Sequence, residues 1–259
     1  MLKSAPTERF SSRVKNYARY RPSYPKEVID VLREECGLMP ESVVADIACG
    51  TGLFTRLLLE NGNRVFGVEP NKEMREAGEH YLAGFSGFTS IAATAESTSL
   101  PDSSVDLITC AQAAHWLKRE DALREFQRIL KAKGFVAIIF NDRQVRGNPF
   151  ADDYERLVVK YGTDYSEVQR LGKIFEGTDF FTPFHCEKRT LPNHQDFDYS
   201  ALEGRLLSSS YAPQKGDPSH EPMLADLRQI FEKHQQGGRV RMQYDTNIYC
   251  GRLSAQGNR

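Results

Sequence analysis

A short apolar run, Val43-Val44-Ala45-Asp46-Ile47-Ala48, ends in Cys49-Gly50-Thr51-Gly52, and no other segment restricts the fold so strongly. β-Branched and small apolar residues in a stretch of this length read as a strand buried on both faces. Two glycines one residue apart let the backbone turn sharply and let a ligand lie directly against the main chain. Leu53, Leu57 and Leu58 then recur at helical spacing up to Glu60, and Asn61-Gly62 supplies a stop. A strand buried on both faces needs helices on both sides of its sheet.

The pattern repeats downstream. Strands are expected at 64–69, 88–93, 105–110 and 135–140. Helices are expected over 72–82, with Asn71 as N-cap, and over 119–131, with Gly134 marking its end. Residues 147–240 carry fewer strand signals and are rich in Phe, Tyr, Ser and Pro. Two further strands, 185–191 and 246–251, are expected to pair as an antiparallel edge, with the material between them forming a lid.

Composition narrows the class. With 34 Lys+Arg against 35 Asp+Glu, the net charge of -1 lacks the basic excess of a nucleic-acid binder. The longest clean apolar run, Phe135 to Phe140, is too short to span a bilayer, so no membrane partner is expected. The first residues lack the apolar stretch of a signal peptide. Five widely spaced Cys without a C-x-x-C favour a reducing, cytoplasmic setting. The six His show no metal-ligand spacing, so no metal is expected.

Glu69 stands at the end of the second strand, where a carboxylate can accept hydrogen bonds from both hydroxyls of a ribose. That points to a nucleoside-containing cofactor. A dinucleotide fingerprint needs a third glycine where Thr55 stands. Asp46, four residues before Gly50, would repel a pyrophosphate but suits a cationic ammonium, directly or through water. The ligand that combines adenosine, sulfonium and ammonium is S-adenosylmethionine. A nicotinamide-dependent oxidoreductase stays as an alternative that Thr55 speaks against.

Four segments carry a family resemblance: Asp46 to Gly52, Gly67-Val68-Glu69-Pro70-Asn71, Ala95 to Asp102, and Val105 to Thr109. They resemble successive motifs of class I S-adenosylmethionine-dependent methyltransferases, and within them the type 11, trans-aconitate methyltransferase-like branch. Tyr17 to Pro25, Gln112 to Trp116, Ser208 to Tyr211 and Met242 to Tyr249 are similar to that branch as well. The resemblance implies that Gly50 and Gly52 turn under the methionine part and that Glu69 holds the ribose. Ala95 and Glu96, at the end of the third strand, would face the adenine, with Met74 packing on it. The backbone at Gln112 would flank the reactive centre. Read from its own residues, the basic lead-in is a solvated amphipathic helix, or a segment in which Arg13 or Arg21 meets the cofactor carboxylate or an anionic substrate, or, least favoured by the balanced charge, an RNA-binding arm. The product would be S-adenosylhomocysteine.

The expected fold is α/β: a doubly wound, mostly parallel, seven-stranded sheet of the Rossmann-like kind, with an antiparallel edge strand and a helical lid. It is read as one domain over 1–259. Residues 1–39 form a helical lead-in, 40–141 the cofactor-binding half, 142–240 the lid and edge-strand region, and 241–253 the closing strand.

The expected reaction is in-line transfer of the sulfonium methyl to a carboxylate or hydroxyl oxygen of a small-molecule acceptor. An ionised carboxylate needs no base, whereas a hydroxyl benefits from one. His115 is the candidate base or a lining residue. Tyr17, Tyr20, Trp116 and Tyr211 are candidate acceptor contacts. A binding protein without turnover, regulatory or scaffolding, is the alternative of another class.

Overall fold

The computed structural model describes residues 20–163, 165 and 177–253. Along the chain run α1 (Val28–Cys36), β1 (Val43–Ile47), α2 (Thr55–Glu60), β2 (Arg64–Val68), α3 (Lys72–Tyr81), β3 (Phe88–Ile91) and β4 (Val105–Ala111). A 3-10 turn (Ala114–Trp116) leads to α4 (Arg119–Ile129), β5 (Leu130–Arg143), α5 (Pro149–Tyr161) and α6 (Gly177–Phe181). The chain ends with β6 (Cys186–Phe197), α7 (Tyr199–Leu207), α8 (His220–His234) and β7 (Val240–Gly251).

The strands form one seven-stranded sheet in the order β3-β2-β1-β4-β5-β7-β6. The pairs β1–β2, β1–β4, β2–β3 and β4–β5 are parallel, and the sheet is mixed, with one antiparallel edge. The sheet reverses its order between β1 and β4. In open α/β sheets, ligands bind beyond the carboxyl ends of the strands at such a switch point.

The described residues divide into two compact units. The first holds residues 23–141, 177–191 and 246–253. Its core has two layers, and the strands alternate between them. Ala45, Ile47, Ile108, Val136 and Ile138 pack with Phe126, Ile129 and Phe180, while Val44, Val65, Leu107 and Ile139 pack with Val28, Leu32 and Leu58. This period of two is what a sheet covered on both faces requires. The second unit holds residues 20–22, 142–163 with 165, and 192–245. There α5, α7 and α8 enclose Phe150, Tyr154, Leu157, Leu202, Leu206 and Leu227 together with Met242 and Tyr244.

Several expectations on extent are corrected. The helix expected over 119–131 stops at Ile129 and passes straight into β5, with Leu130 already extended at ψ 137. Gly134 is no helix stop. It lies inside β5 beside a register irregularity, where Leu107 pairs with Phe135 while Val105 pairs with Leu130. β3 ends at Ile91 rather than at residue 93. β6 and β7 are twelve residues each, longer than the expected runs. No described helix is long and apolar enough to cross a membrane.

Asn71 caps α3 as expected: its side chain accepts from the Met74 N–H at 2.8 Å. Inside α3, Gly78 is set by packing. A Cβ there would stand 2.9 Å from the Gly50 carbonyl oxygen and 3.4 Å from the Thr51 carbonyl carbon, so the helix lies against the backbone of the glycine turn. Gly78→Ala therefore gains about 1 kcal/mol of helix propensity but meets overpacking worth about 1–3 kcal/mol. The expected net result is a lower midpoint in urea unfolding, and a raised midpoint would show that the turn moves aside at little cost.

Candidate functional site

The site grows from the carboxyl end of β1. Asp46 is fully buried, and both of its carboxylate oxygens accept short hydrogen bonds. Thr55, in the first turn of α2, donates its hydroxyl to Oδ2 at 2.6 Å, and Thr109 on β4 donates to Oδ1 at 2.7 Å. Thr109 is the β4 residue paired in register with Asp46, so the second contact follows from the strand alignment. Burial pushes the Asp46 carboxyl up to about 6, although the two hydroxyls pull the other way.

The chain then turns through left-handed conformations at Ala48 (φ 52), Gly50 (φ 57) and Gly52 (φ 81). Glycine takes such angles freely, but at Ala48 the side chain strains the backbone by about 1–2 kcal/mol. Glu69, directly after β2, holds this turn. Its Oε2 accepts from the Gly50 N–H at 3.0 Å and its Oε1 from the Asn71 N–H at 2.8 Å. Burial raises the Glu69 pKa. The Met74 methyl lies 3.2 Å from where a Cβ on Gly50 would stand. The Thr51 hydroxyl, also in the turn, is buried and has no hydrogen-bond partner among the described residues. An orphaned hydroxyl in a glycine cradle beside two carboxylates fits a polar ligand lying on the main chain.

The neighbouring strand contributes a second strained point. Gln112 follows β4 with φ 61 and donates its N–H to the Ile139 carbonyl at 2.8 Å. His115 comes next in the 3-10 turn, its ring 4.7 Å from that of Trp116 and 5.8 Å from that of Phe140. Burial alone pushes its pKa down to about 4.

The structure brings Asp46, Gly50, Gly52, Glu69 and Met74 together. Gln112, His115 and Trp116 stand at the end of the adjacent β4. Ala95 and Glu96 are not at the end of β3, which stops at Ile91; they lie within a tight turn closed by a Thr94–Ser97 bridge. Ala95 is buried in the core, and Glu96 accepts from the Lys118 N–H at 3.0 Å.

Tyr20, Arg21 and Tyr211 belong to the second unit. The Tyr20 ring packs directly on Gly204, where a Cβ would come within 2.1 Å of it. Arg21 donates to the Ser208 carbonyl at 3.2 Å, and Tyr211 packs edge-on against Tyr165 at 4.7 Å. Tyr17 lies outside the described residues. No group of three or more potential metal ligands occurs among the described residues.

Sequence reasoning missed Thr55 and Thr109, the two groups that tie down Asp46. Thr55 stood out only as a missing glycine. A polar residue inside the apolar run of β4 was the signal for Thr109.

Residues 45–138 match the family described as "Methyltransferase domain". An uncharacterized methyltransferase-like protein of Schizosaccharomyces pombe is 24% identical over 246 residues, 93% of each chain. An uncharacterized methyltransferase of Mycobacterium tuberculosis is 37% identical over 139 residues, 53% of this chain and 54% of its own. Among solved structures, a protein of Anaeromyxobacter dehalogenans bearing the name of a type II methyltransferase superposes with a TM-score of 0.67. It is 21% identical and matches 90% of this chain and 98% of its own, a likeness of fold.

The Asp46 geometry makes stability depend on pH. Its folded pKa of about 6 lies above the ordinary carboxylate value, so the folded state holds this proton more tightly than the unfolded state does. The stabilisation is present below about pH 4 and is lost as pH rises through about 6, on the order of 3 kcal/mol in all. Asp46→Asn removes this dependence. In urea unfolding, the variant should gain on the natural protein between pH 4.5 and 7.5, and a difference that stays constant with pH would refute the assignment.

Proposed function

The chain is a class I S-adenosylmethionine-dependent methyltransferase, and from that premise we propose that it methylates an oxygen of a small-molecule acceptor, a carboxylate ahead of a hydroxyl. The cofactor, when bound, supplies an electrophilic methyl group on a sulfonium and its own leaving group. The chain supplies alignment and shelter from water, and orientation of this kind can contribute up to about 7–11 kcal/mol.

Within the first unit, the proposed roles follow from what each group has left to offer. Each Glu69 oxygen accepts one N–H. A carboxylate oxygen has two lone pairs, so Glu69 keeps acceptor capacity for two ribose hydroxyls while holding the turn in place. The main chain of Gly50 and Gly52 would carry the methionine part, and the Thr51 hydroxyl would find a partner there. Asp46 has both oxygens engaged by hydroxyls, so its part is to fix the turn and to set a negative potential around it. Ala95 and Glu96 are assigned to the adenine with Met74 beside it, and the Gln112 backbone to the reacting end.

The preference for a carboxylate rests on His115. A general base works best with a pKa near the working pH. At about 4, the His115 imidazole is neutral at pH 7 but a weak proton acceptor. An alcohol or phenol would draw little help from it. A carboxylic acid has already lost its proton at that pH and needs none, which leaves His115 and Trp116 to line the apolar approach to the methyl group.

Two measurements test this reading. Release of S-adenosylhomocysteine is expected across a panel of organic acids and not across matched alcohols and phenols. With an acid acceptor, kcat/KM should stay flat from pH 6 to 8.5, and His115→Gln should change kcat less than tenfold. A loss of about 10²–10⁴, with a titration near neutrality, would instead identify a general base and a hydroxyl acceptor. Glu69→Ala should weaken S-adenosylmethionine binding by about 1–3 kcal/mol in calorimetry, and unchanged affinity in the folded variant would remove Glu69 from the ribose.

A further inference from the structure

Arg75 reaches from α3 back to the acidic end of β2. Side chains on a helix lean towards its N-terminus, so a residue one turn in covers the helix start. The Arg75 Nη1 donates to the main-chain carbonyl of Glu69 at 3.1 Å, and its Nε lies 3.8 Å from Glu79 Oε1, one turn further on. Glu79 is itself engaged from β3, where the Ser90 hydroxyl donates to it at 2.6 Å. The Arg75 side chain is only 18% exposed, against 72% for Lys72 at the start of the same helix. An arginine that only solvates a helix face keeps its charged head in water. Here the guanidinium is folded onto the peptide of the residue whose carboxylate holds the glycine turn.

Glu69 has need of such a neighbour. Its two oxygens already accept the Gly50 and Asn71 N–H groups. A protonated carboxyl has to place its hydrogen on one of these oxygens, where an N–H already points, and it then offers fewer acceptor sites to incoming hydroxyls. Burial favours that neutral form, while the two N–H groups and the Arg75 charge oppose it. The other titratable groups that Glu69 acts on are Asp46 on β1, Cys49 in the turn and Cys110 on β4. All three are acids, and burial first, then negative neighbours, raises the pKa of each. Among the described residues that act on Glu69, Arg75 is the cation.

We propose that Arg75 is a positioning residue for the cofactor: it fixes the end of β2 and keeps Glu69 in the form that accepts two ribose hydroxyls. It acts through Glu69 rather than by touching the reacting atoms, so this role rests on Glu69 holding the ribose, as proposed above. The consequence is an affinity that depends on pH. As pH falls, Glu69 takes up a proton and binding of the nucleoside weakens. Without the guanidinium that weakening begins at higher pH.

Calorimetric titration with S-adenosylhomocysteine at pH 5.5 and pH 8 tests it, on the full chain and on variants whose folding is checked by thermal unfolding. Arg75→Met should weaken binding at both values, with a loss at least about threefold greater at pH 5.5. Arg75→Gln, which keeps a donor but not the charge, should behave in the same way. Arg75→Lys, which keeps the charge, should restore most of the affinity at pH 5.5. Asp46 titrates in this range, at about 6, but Arg75 is not among the groups acting on it, so its effect cancels between variants. In a Glu69→Gln background, which cannot ionise, the loss on Arg75→Met should no longer vary with pH. A guanidinium that merely braces the backbone predicts an equal loss at both pH values, with or without Glu69→Gln. That result would overturn the proposal, as would unchanged binding in Arg75→Met. Glu69→Ala separates this failure from that of the ribose assignment. Unchanged affinity there removes Glu69 from the ribose and Arg75 with it, whereas weakened affinity beside a pH-independent Arg75→Met loss removes Arg75 alone.

Discussion

Much of the first unit hangs on one buried carboxylate. Asp46 joins three elements: its own strand β1, the start of the following helix α2 through Thr55, and the distant β4 through Thr109. Neither hydroxyl neutralises the charge. They supply hydrogen bonds that make burial tolerable, and they position the first glycine turn between the two strands where the sheet order reverses. Glu69 repeats the device one strand over, accepting the Gly50 N–H from across the turn. The glycine turn is thus held from both sides by acidic side chains, while α3 presses on it through the bare backbone of Gly78. This mutual fit explains how left-handed backbone persists at Ala48, where no glycine relieves it: the surroundings over-determine the conformation.

How much of this is legible in the sequence depends on burial. Parallel strands covered on both faces become apolar runs, so β1, β2, β4 and the centre of β5 stand out from their residues alone. Edges do not. β6 has only one fully buried residue, Phe197, and most of its side chains face water, so its polar stretch through Pro192 and Asn193 carries no strand signal. The start of β5 is disguised for a related reason. Lys131, Ala132 and Lys133 are exposed beside a register irregularity, and Lys131 reaches across to Asp106. Two lysines followed by a glycine look like the end of a helix. In the structure they are the outward-facing part of a strand.

The candidate site divides in the same way. Asp46, Gly50, Gly52 and Glu69 are readable because backbone turns and carboxylates at strand ends leave a local spacing. The partners that make them work come from elsewhere: Thr109 arrives by strand register and Gly78 by helix packing. Arg205 is the extreme case. An arginine within a helix reads as a solvated face, and nothing local distinguishes one that the tertiary fold has buried against the Tyr244 and Ser209 hydroxyls.

The two units share one electrostatic habit with opposite sign. The first buries Asp46 and Glu69, and burial raises the pKa of both, because desolvation disfavours their charged forms. The second buries Arg205, which has no neutral form to retreat to. In a protein selected for stability alone, apolar residues would fill such positions more favourably. A cofactor that carries cationic sulfonium and ammonium groups is the natural counterpart of the first arrangement, because its charge restores what desolvation took from the carboxylates. On the proposed reading, the buried carboxylates of the first unit act in recognition: their burial costs stability in the free protein, and a cationic cofactor would recover part of that cost on binding.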